Sequence, residues 1–195
     1  MEILLSICLG IGLSAACGFR VFVPLLVMNI ASLSGHLHLV HGFEWLGSYP
    51  ALVAFSVATC LEIAGYYIPW VDHLLDTIAT PAAVIAGTLA SASVIGDMSP
   101  FLKWTLAAIA GGGSAGLVQG TTVVLRGAST ATTAGFGNPL VATAELAGAA
   151  TVSIMSLIAP LLAVLVVMGL VFVLVRMVLC RANRAQAPRV RANAA

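Results

Sequence analysis

Charge is what this sequence has least of. Only 8% of its 195 residues are Asp, Glu, Lys or Arg, and the formal net charge is +1. A soluble domain carries about 25% charged residues, because water must wet its surface, so a water-soluble globule is excluded. A nucleic-acid footprint needs Lys and Arg clustered outside a bilayer. The one basic cluster is the tail Arg181, Arg184, Arg189 and Arg191, so nucleic acid is not expected as a partner. Cysteine is scarce and scattered: Cys8, Cys17, Cys60 and Cys180 form no CxxC and no metal-type spacing. Each lies in or beside an apolar segment, where a thiol behaves as a small hydrophobe; neither a disulfide framework nor a redox site follows. There is no nucleophile elbow, Walker loop, dinucleotide fingerprint or HExxH. Enzymatic activity is therefore the minority reading, with no cofactor and no metal expected.

What is present is apolar length. Hydrophobic residues make up 61% of the chain and mean hydropathy is +1.10, with several runs near the roughly 20 residues that cross a bilayer. The runs are continuous rather than alternating, which selects helices over a barrel. The N-terminal run ends in Ser14-Ala15-Ala16-Cys17, as a processed signal would. Only Glu2 precedes it, however, and the chain stays apolar through Val27. A signal peptide opens with positive charge, so the segment reads as a membrane helix.

The expected architecture is an all-α polytopic membrane protein of five to six transmembrane helices. The first span runs from Ile3 to about Leu33, interrupted by Gly18 and Pro24. A polar connection, Ser34 to Pro50, carries His36, His38, His41 and Glu44. Ala51–Pro69 is the second span, Trp70–Thr80 a short linker helix, and Pro81 to about Ile95 the third, opened by a proline in its first turn. Leu102–Leu125 is the fourth, with Gly112, Gly116 and Gly120 in a GxxxGxxxG row that lets a neighbouring helix approach closely. Arg126–Asn138 is small, hydroxyl-rich and Gly-punctuated, and reads as irregular backbone lining a cavity. Pro139–Ile158 and Pro160–Cys180 complete the set.

The Arg-rich tail, 181–195, is expected to be disordered and cytoplasmic, by the excess of Lys and Arg on that side. Residues 1–180 then form one membrane domain in an inner or plasma membrane. Counting six spans back places the N-terminus inside as well and the loop 34–50 outside. Short marks recur in order along the chain: Gly18-Phe19 with Pro24 and Gly135-Phe136 with Pro139, Glu62-Ile63-Ala64-Gly65 and Glu145-Leu146-Ala147-Gly148, and Pro81 and Pro160. Two readings stay open, inverted three-helix repeats with broken helices (1–98 and 102–180) and chance recurrence in a Gly-, Ala- and Pro-rich chain.

Gly12-Leu13-Ser14-Ala15-Ala16-Cys17-Gly18-Phe19-Arg20-Val21-Phe22-Val23-Pro24-Leu25-Leu26 resembles the opening of an uncharacterised membrane family, domain of unknown function 4126. Ile68-Pro69-Trp70-Val71-Asp72-His73-Leu74-Leu75-Asp76 is similar to that family's helix-end motif, Ile-Pro-Gly-Val-Asp followed by a second Asp. The stretch Arg126–Glu145 resembles its small-residue segment. The family reads Asn-Ala-Ser-Pro-Glu-Pro where this chain has Thr132-Thr133-Ala134-Gly135-Phe136-Gly137-Asn138-Pro139. The resemblance implies membership over about residues 5–175 and brings no activity with it.

Ionisable residues inside spans are the candidate chemistry, because lipid offers a charge no partner. Arg20 lies mid-span, with Glu62 and Glu145 as candidate partners, either as a structural ion pair or as part of a pathway. Asp72 and Asp76, four apart, share one helix face and could hold a cation or proton beside His73; the alternative is a solvated face. Asn138 joins this set of pathway residues. The histidines of loop 34–50 match no zinc pattern. A small transporter or channel-like permease for a small solute or ion is the leading reading. A non-transporting scaffold or assembly factor held by its GxxxG face is the alternative, and a lipid-modifying enzyme is third. Contact with the bilayer is implied throughout, and a homo-oligomer stays open.

Overall fold

The computed structural model describes residues 2–68, 71–96, 98–169, 171–173 and 176, with the side chains of Asp72 and His73 outside that set. The expectations for the 181–195 tail, for Trp70 and for the Asp72 carboxylate therefore fall outside the described residues. Among the described residues every long element is helical and none is a strand. The helices are α1 (Glu2–Phe19), α2 (Phe22–Leu33), α3 (Tyr49–Tyr66), α4 (Val71–Val94), α5 (Pro100–Leu106), α6 (Gly113–Thr133), α7 (Asn138–Ile158) and α8 (Pro160–Val173). A π-helical turn, Ala107–Gly112, joins α5 to α6, so Pro100–Thr133 is one long span. Five helices are long and apolar enough to cross a membrane. This is a multi-pass membrane protein.

Helix α1 is apolar all round, as suits a helix with no wet face, and it is buried from Gly12 through Gly18. It packs against α4, α6 and α7. The Ser14 and Ser91 hydroxyls hydrogen bond across the α1–α4 seam at 2.8 Å, so the polar atoms of this dry interface satisfy each other. The opposite faces of the outer helices carry Val53, Val57 and Leu61 on α3 and Leu140, Ile154 and Ile158 on α7, all exposed. Lipid is the solvent these side chains suit.

The first apolar stretch departs from expectation. It is not one interrupted span but two helices that double back on each other. Helix α2 runs antiparallel to α3: its first residues meet Glu62 near the α3 end, while Asn29 donates to the carbonyls of Leu46 and Ser48 just before α3 begins. Helix α1 runs antiparallel to α4, with Ser14 donating to Gly87, and α4 in turn packs back along α3 through Leu75 and Gly65. The directions of α1 and α2 are therefore opposed, with Arg20 at the apex. The N-terminus consequently lies at the same end of the bundle as loop 34–48, whose Val40 N–H reaches Ser93 at the end of α4. The expectation that they face opposite sides is corrected, because it rested on one continuous span where the chain doubles back at Arg20.

Two further boundaries shift. No linker helix precedes Pro81, which sits inside the continuous helix α4. Pro81 has no N–H to give the Thr77 carbonyl, a cost a helix bears when neighbours support it. The stretch after Arg126 is not irregular: α6 continues to Thr133, and the break is confined to 134–137. There Ala134 (φ 52°) and Gly135 (φ 90°) are left-handed, the common way to end a helix. Thr130, Thr132 and Thr133 kept within the helix give hydroxyls to backbone or neighbouring side-chain acceptors, which removes the polar burden that made the stretch look irregular.

Gly112 and Gly116 face α4, where an added Cβ on them would come within 2.6 Å of Thr88 Oγ1 and 3.2 Å of Val84 Cγ2. Gly120 meets nothing within 4 Å, so the expected row packs over two glycines rather than three. The helices have parted by that turn. The recurring sequence marks also land on unlike elements. Pro24 and Glu62 stand on different helices, α2 and α3, whereas Pro139 and Glu145 share α7.

Candidate functional site

The break between α1 and α2 creates the site. Ending α1 at Phe19 leaves the first N–H groups of α2 without helical partners. Glu62 supplies them: Val21 N–H donates to Oε1 at 2.8 Å and Phe22 N–H to Oε2 at 3.1 Å. A carboxylate at a helix N-terminus also meets the positive end of the helix dipole. Glu62 is thus a cap supplied from another helix. Of the two candidate partners of Arg20, Glu62 and Glu145, it is the one whose two oxygens accept from backbone donors at the break.

Arg20 itself is 1% exposed. Its Nη2 donates to the Ala142 carbonyl at 3.0 Å and lies 3.7 Å from Glu145 Oε2. Its guanidinium carbon stands 3.8 Å from the centroid of the Tyr66 ring, an attraction strengthened by removal from water. Among the described residues, Nε and Nη1 find no hydrogen-bond partner.

Arg126 carries the rest. It is 4% exposed and grips Glu145 with a fork, Nε to Oε1 at 3.0 Å and Nη2 to Oε2. Its Nη1 donates to Asp76 Oδ1 at 3.0 Å, and its guanidinium carbon lies 3.9 Å from the Tyr66 centroid. The planar guanidinium suits this task, since it can bind one carboxylate bidentately and still direct a donor elsewhere. Glu145 Oε2 is common to both arginines. Five charged side chains and one tyrosine from the α1–α2 apex, α3, α4, α6 and α7 thus converge inside the bundle.

The structure gathers Arg20, Glu62, Glu145 and Asp76, four residues singled out from sequence. Asn138 stands one step away, where its amide donates to Thr130 Oγ1 at 3.1 Å. Arg126 and Tyr66 were missed. Arg126 is an arginine within an apolar segment, the same signal that marks Arg20. Tyr66 follows Glu62 by four residues and so shares its helix face. In the 34–48 loop, His41 Nδ1 pairs with Glu44 Oε1 at 2.8 Å on the surface. Backbone N–H groups, its own and that of Gly42, hold the Glu44 carboxyl below its usual range.

Beside Arg126 the seam between α4 and α6 opens into a cavity of about 570 Å³. Asp76, Thr77 and Thr80 line it from α4, and Val123, Arg126 and Thr130 from α6. A volume of that order accommodates a small solute. The description of a domain of unknown function, DUF4126, matches residues 7–179. The chain belongs to that family. No curated protein and no solved structure matches it. For this DUF4126 member, function must therefore be argued from the cluster and the cavity it adjoins.

Proposed function

We propose that this DUF4126 protein is a small transporter or channel-like permease that admits a small solute or ion to the cavity between α4 and α6. The observation that carries the reading is the Arg126–Asp76 pair: it joins a charge cluster buried among membrane helices to the wall of a solute-sized cavity. Charges inside a membrane protein are costly and mark pathways more often than they lock helices. The scaffold reading draws less support, because Gly112 and Gly116 are used within the chain and do not present a bare face to a partner.

The membrane is an inner or plasma membrane in this reading, with the basic tail and the cavity end of the bundle cytoplasmic. The test is flux into liposomes holding the purified chain, across a panel of ions and small organic solutes. Flux of at least one solute should fall at least tenfold in Arg126→Gln and Asp76→Asn. A folded, inserted protein that passes none of the panel would overturn the reading.

A further inference from the structure

The cavity between α4 and α6 opens sideways. Thr77 and Thr80 on α4 and Gly127 and Ala131 on α6 line it and are themselves exposed. Beside them on the same helices stand Leu74, Ile78, Leu117 and Val124, exposed apolar side chains whose natural solvent is lipid. The mouth therefore lies in the lipid-facing surface of the bundle. Along α4 it spans positions 76–80, which a rise of about 1.5 Å per residue puts about 8–14 Å from the helix start at Val71. The headgroup layer is about 5–8 Å deep on each side of a bilayer. The mouth thus sits just beneath it, where polar and apolar surroundings meet.

A second feature continues from the mouth. Gly113, Gly120 and Gly127 recur at a seven-residue spacing, which keeps them on one face of α6 with a drift of about 20° per repeat. A Cβ added at any of the three meets nothing within 4 Å. Gly127 lines the cavity, so this notched face leads from it toward the middle of the membrane, with Leu117 and Val124 as its apolar sides. From Gly127 to Gly113 it is about 21 Å long, against about 15 Å for the hydrocarbon depth of one leaflet. Polar lining at the headgroup boundary and an open apolar track beyond it match the two halves of an amphiphile.

We infer that the cavity takes the zwitterionic head of one membrane lipid, one of whose chains lies along the Gly127–Gly120–Gly113 face of α6. This rests on the transport reading only in treating the cavity as a binding site. Pockets that recruit anionic lipids are basic, whereas here the wall pairs Arg126 with Asp76. An anionic head meets Asp76 as a like charge, and a cationic head meets Arg126. A zwitterion laid head to tail against the pair meets opposite charges at both ends. Arg126 and Asp76 keep their present partners throughout, so the lipid adds to the pair and does not break it.

The experiment delipidates the full chain in detergent and adds palmitoyl-oleoyl phosphatidylcholine or the matching anionic phosphatidylglycerol. Native mass spectrometry then counts the lipid retained. The parent should hold about one phosphatidylcholine per chain and at least tenfold less phosphatidylglycerol. Gly120→Leu fills the track, and Gly127→Leu fills track and mouth together. Each has open space for the new side chain, and each should retain at least tenfold less lipid than the parent. Ala54→Leu, on the exposed face of α3, should match the parent. Excess glycerophosphocholine, the same head without chains, should displace none of the bound lipid. Melting curves check that each variant is folded. No retention by the folded parent, or retention unchanged in either folded glycine variant, would overturn the inference. Equal or greater retention of the anionic lipid, or displacement by glycerophosphocholine, would do so too. A parent dimer that both glycine variants dissolve would also overturn it, by giving the face to a second copy. Lipid retained with no flux in liposomes would sink the transport reading alone. Flux of a water-soluble solute with no lipid retained would sink this inference alone.

Discussion

At the scale of single residues, Glu145 and Glu62 show one side-chain type doing two kinds of work. Glu145 neutralises: both arginines reach its Oε2. Breaking a buried pair on one side strands a charge, at a cost of about 3–5 kcal/mol, whereas removing both partners together costs far less. Arg126→Met alone should therefore destabilise the protein by about that amount. Arg126→Met with Glu145→Gln should be markedly less damaging than the sum of the two single changes, as unfolding in mixed detergent would measure. Strict additivity would mean the fork is not energetically coupled. Glu62 satisfies backbone. Glu62→Ala leaves the Val21 and Phe22 N–H groups without an acceptor and should cost about 1–3 kcal/mol. Glu62→Gln keeps one acceptor oxygen and should cost less. Equal losses in the two variants would show that the charge, and not the cap, matters.

At the scale of elements, what the sequence could reveal depended on whether a signal was local. The apolar runs and the exclusion of strands were legible because every helix in lipid must satisfy its own backbone. Pro81 misled because proline at a helix start and proline inside a membrane helix look alike in sequence; only the neighbours tell them apart. The hydroxyls of 129–133 misled similarly, since in lipid a Thr can return its O–H to the carbonyl four residues earlier and stay helical. Arg20 was legible as a buried charge, but its partners were not, because contacts between α1, α6 and α7 are set by packing over more than a hundred residues. Two changes test the element boundaries. Ala134 adopts the left-handed conformation at φ 52°, which costs a non-glycine residue about 1–2 kcal/mol, so Ala134→Gly should stabilise the protein by about 1 kcal/mol. Gly112→Leu should cost about 1–3 kcal/mol by overpacking against Val84 and Thr88. Gly120→Leu, with open space before it, should fall within about 0.5 kcal/mol of the parent. Thermal unfolding resolves these; equal damage at Gly112 and Gly120 would contradict the parting of α4 from α6.

At the scale of the whole molecule, the α1–α2 hairpin fixes which parts share a side of the membrane. If residues 3–33 made one crossing, the N-terminus and loop 34–48 would face opposite compartments. With Arg20 at an apex they face the same one, and the α6–α7 corner at 134–137 faces the other. Phe136, 89% exposed at that corner, is a convenient reporter. In a background with the native cysteines replaced, Glu2→Cys and His38→Cys should react with a membrane-impermeant maleimide from one side, and Phe136→Cys from the other. Intact cells and inverted vesicles supply the two sides. The rule that Lys and Arg accumulate on the cytoplasmic face predicts Phe136 on the inside: Arg126 lies on the helix that leads to that corner, and loop 34–48 carries no Lys or Arg, against the one Lys103 held over Phe43 of that loop. The consequence for mechanism is direct. The cavity opens near the same end as Phe136, since Thr130 on its wall is bound to Asn138 at the start of α7. Labelling of Phe136→Cys from inside would make the Arg126–Asp76 pair face the cytoplasm in this conformation, with Arg20 and Tyr66 between it and the outside. Labelling of Glu2→Cys and His38→Cys from opposite sides would restore a single crossing, remove the apex at Arg20, and with it the reason Glu62 has two backbone donors to cap.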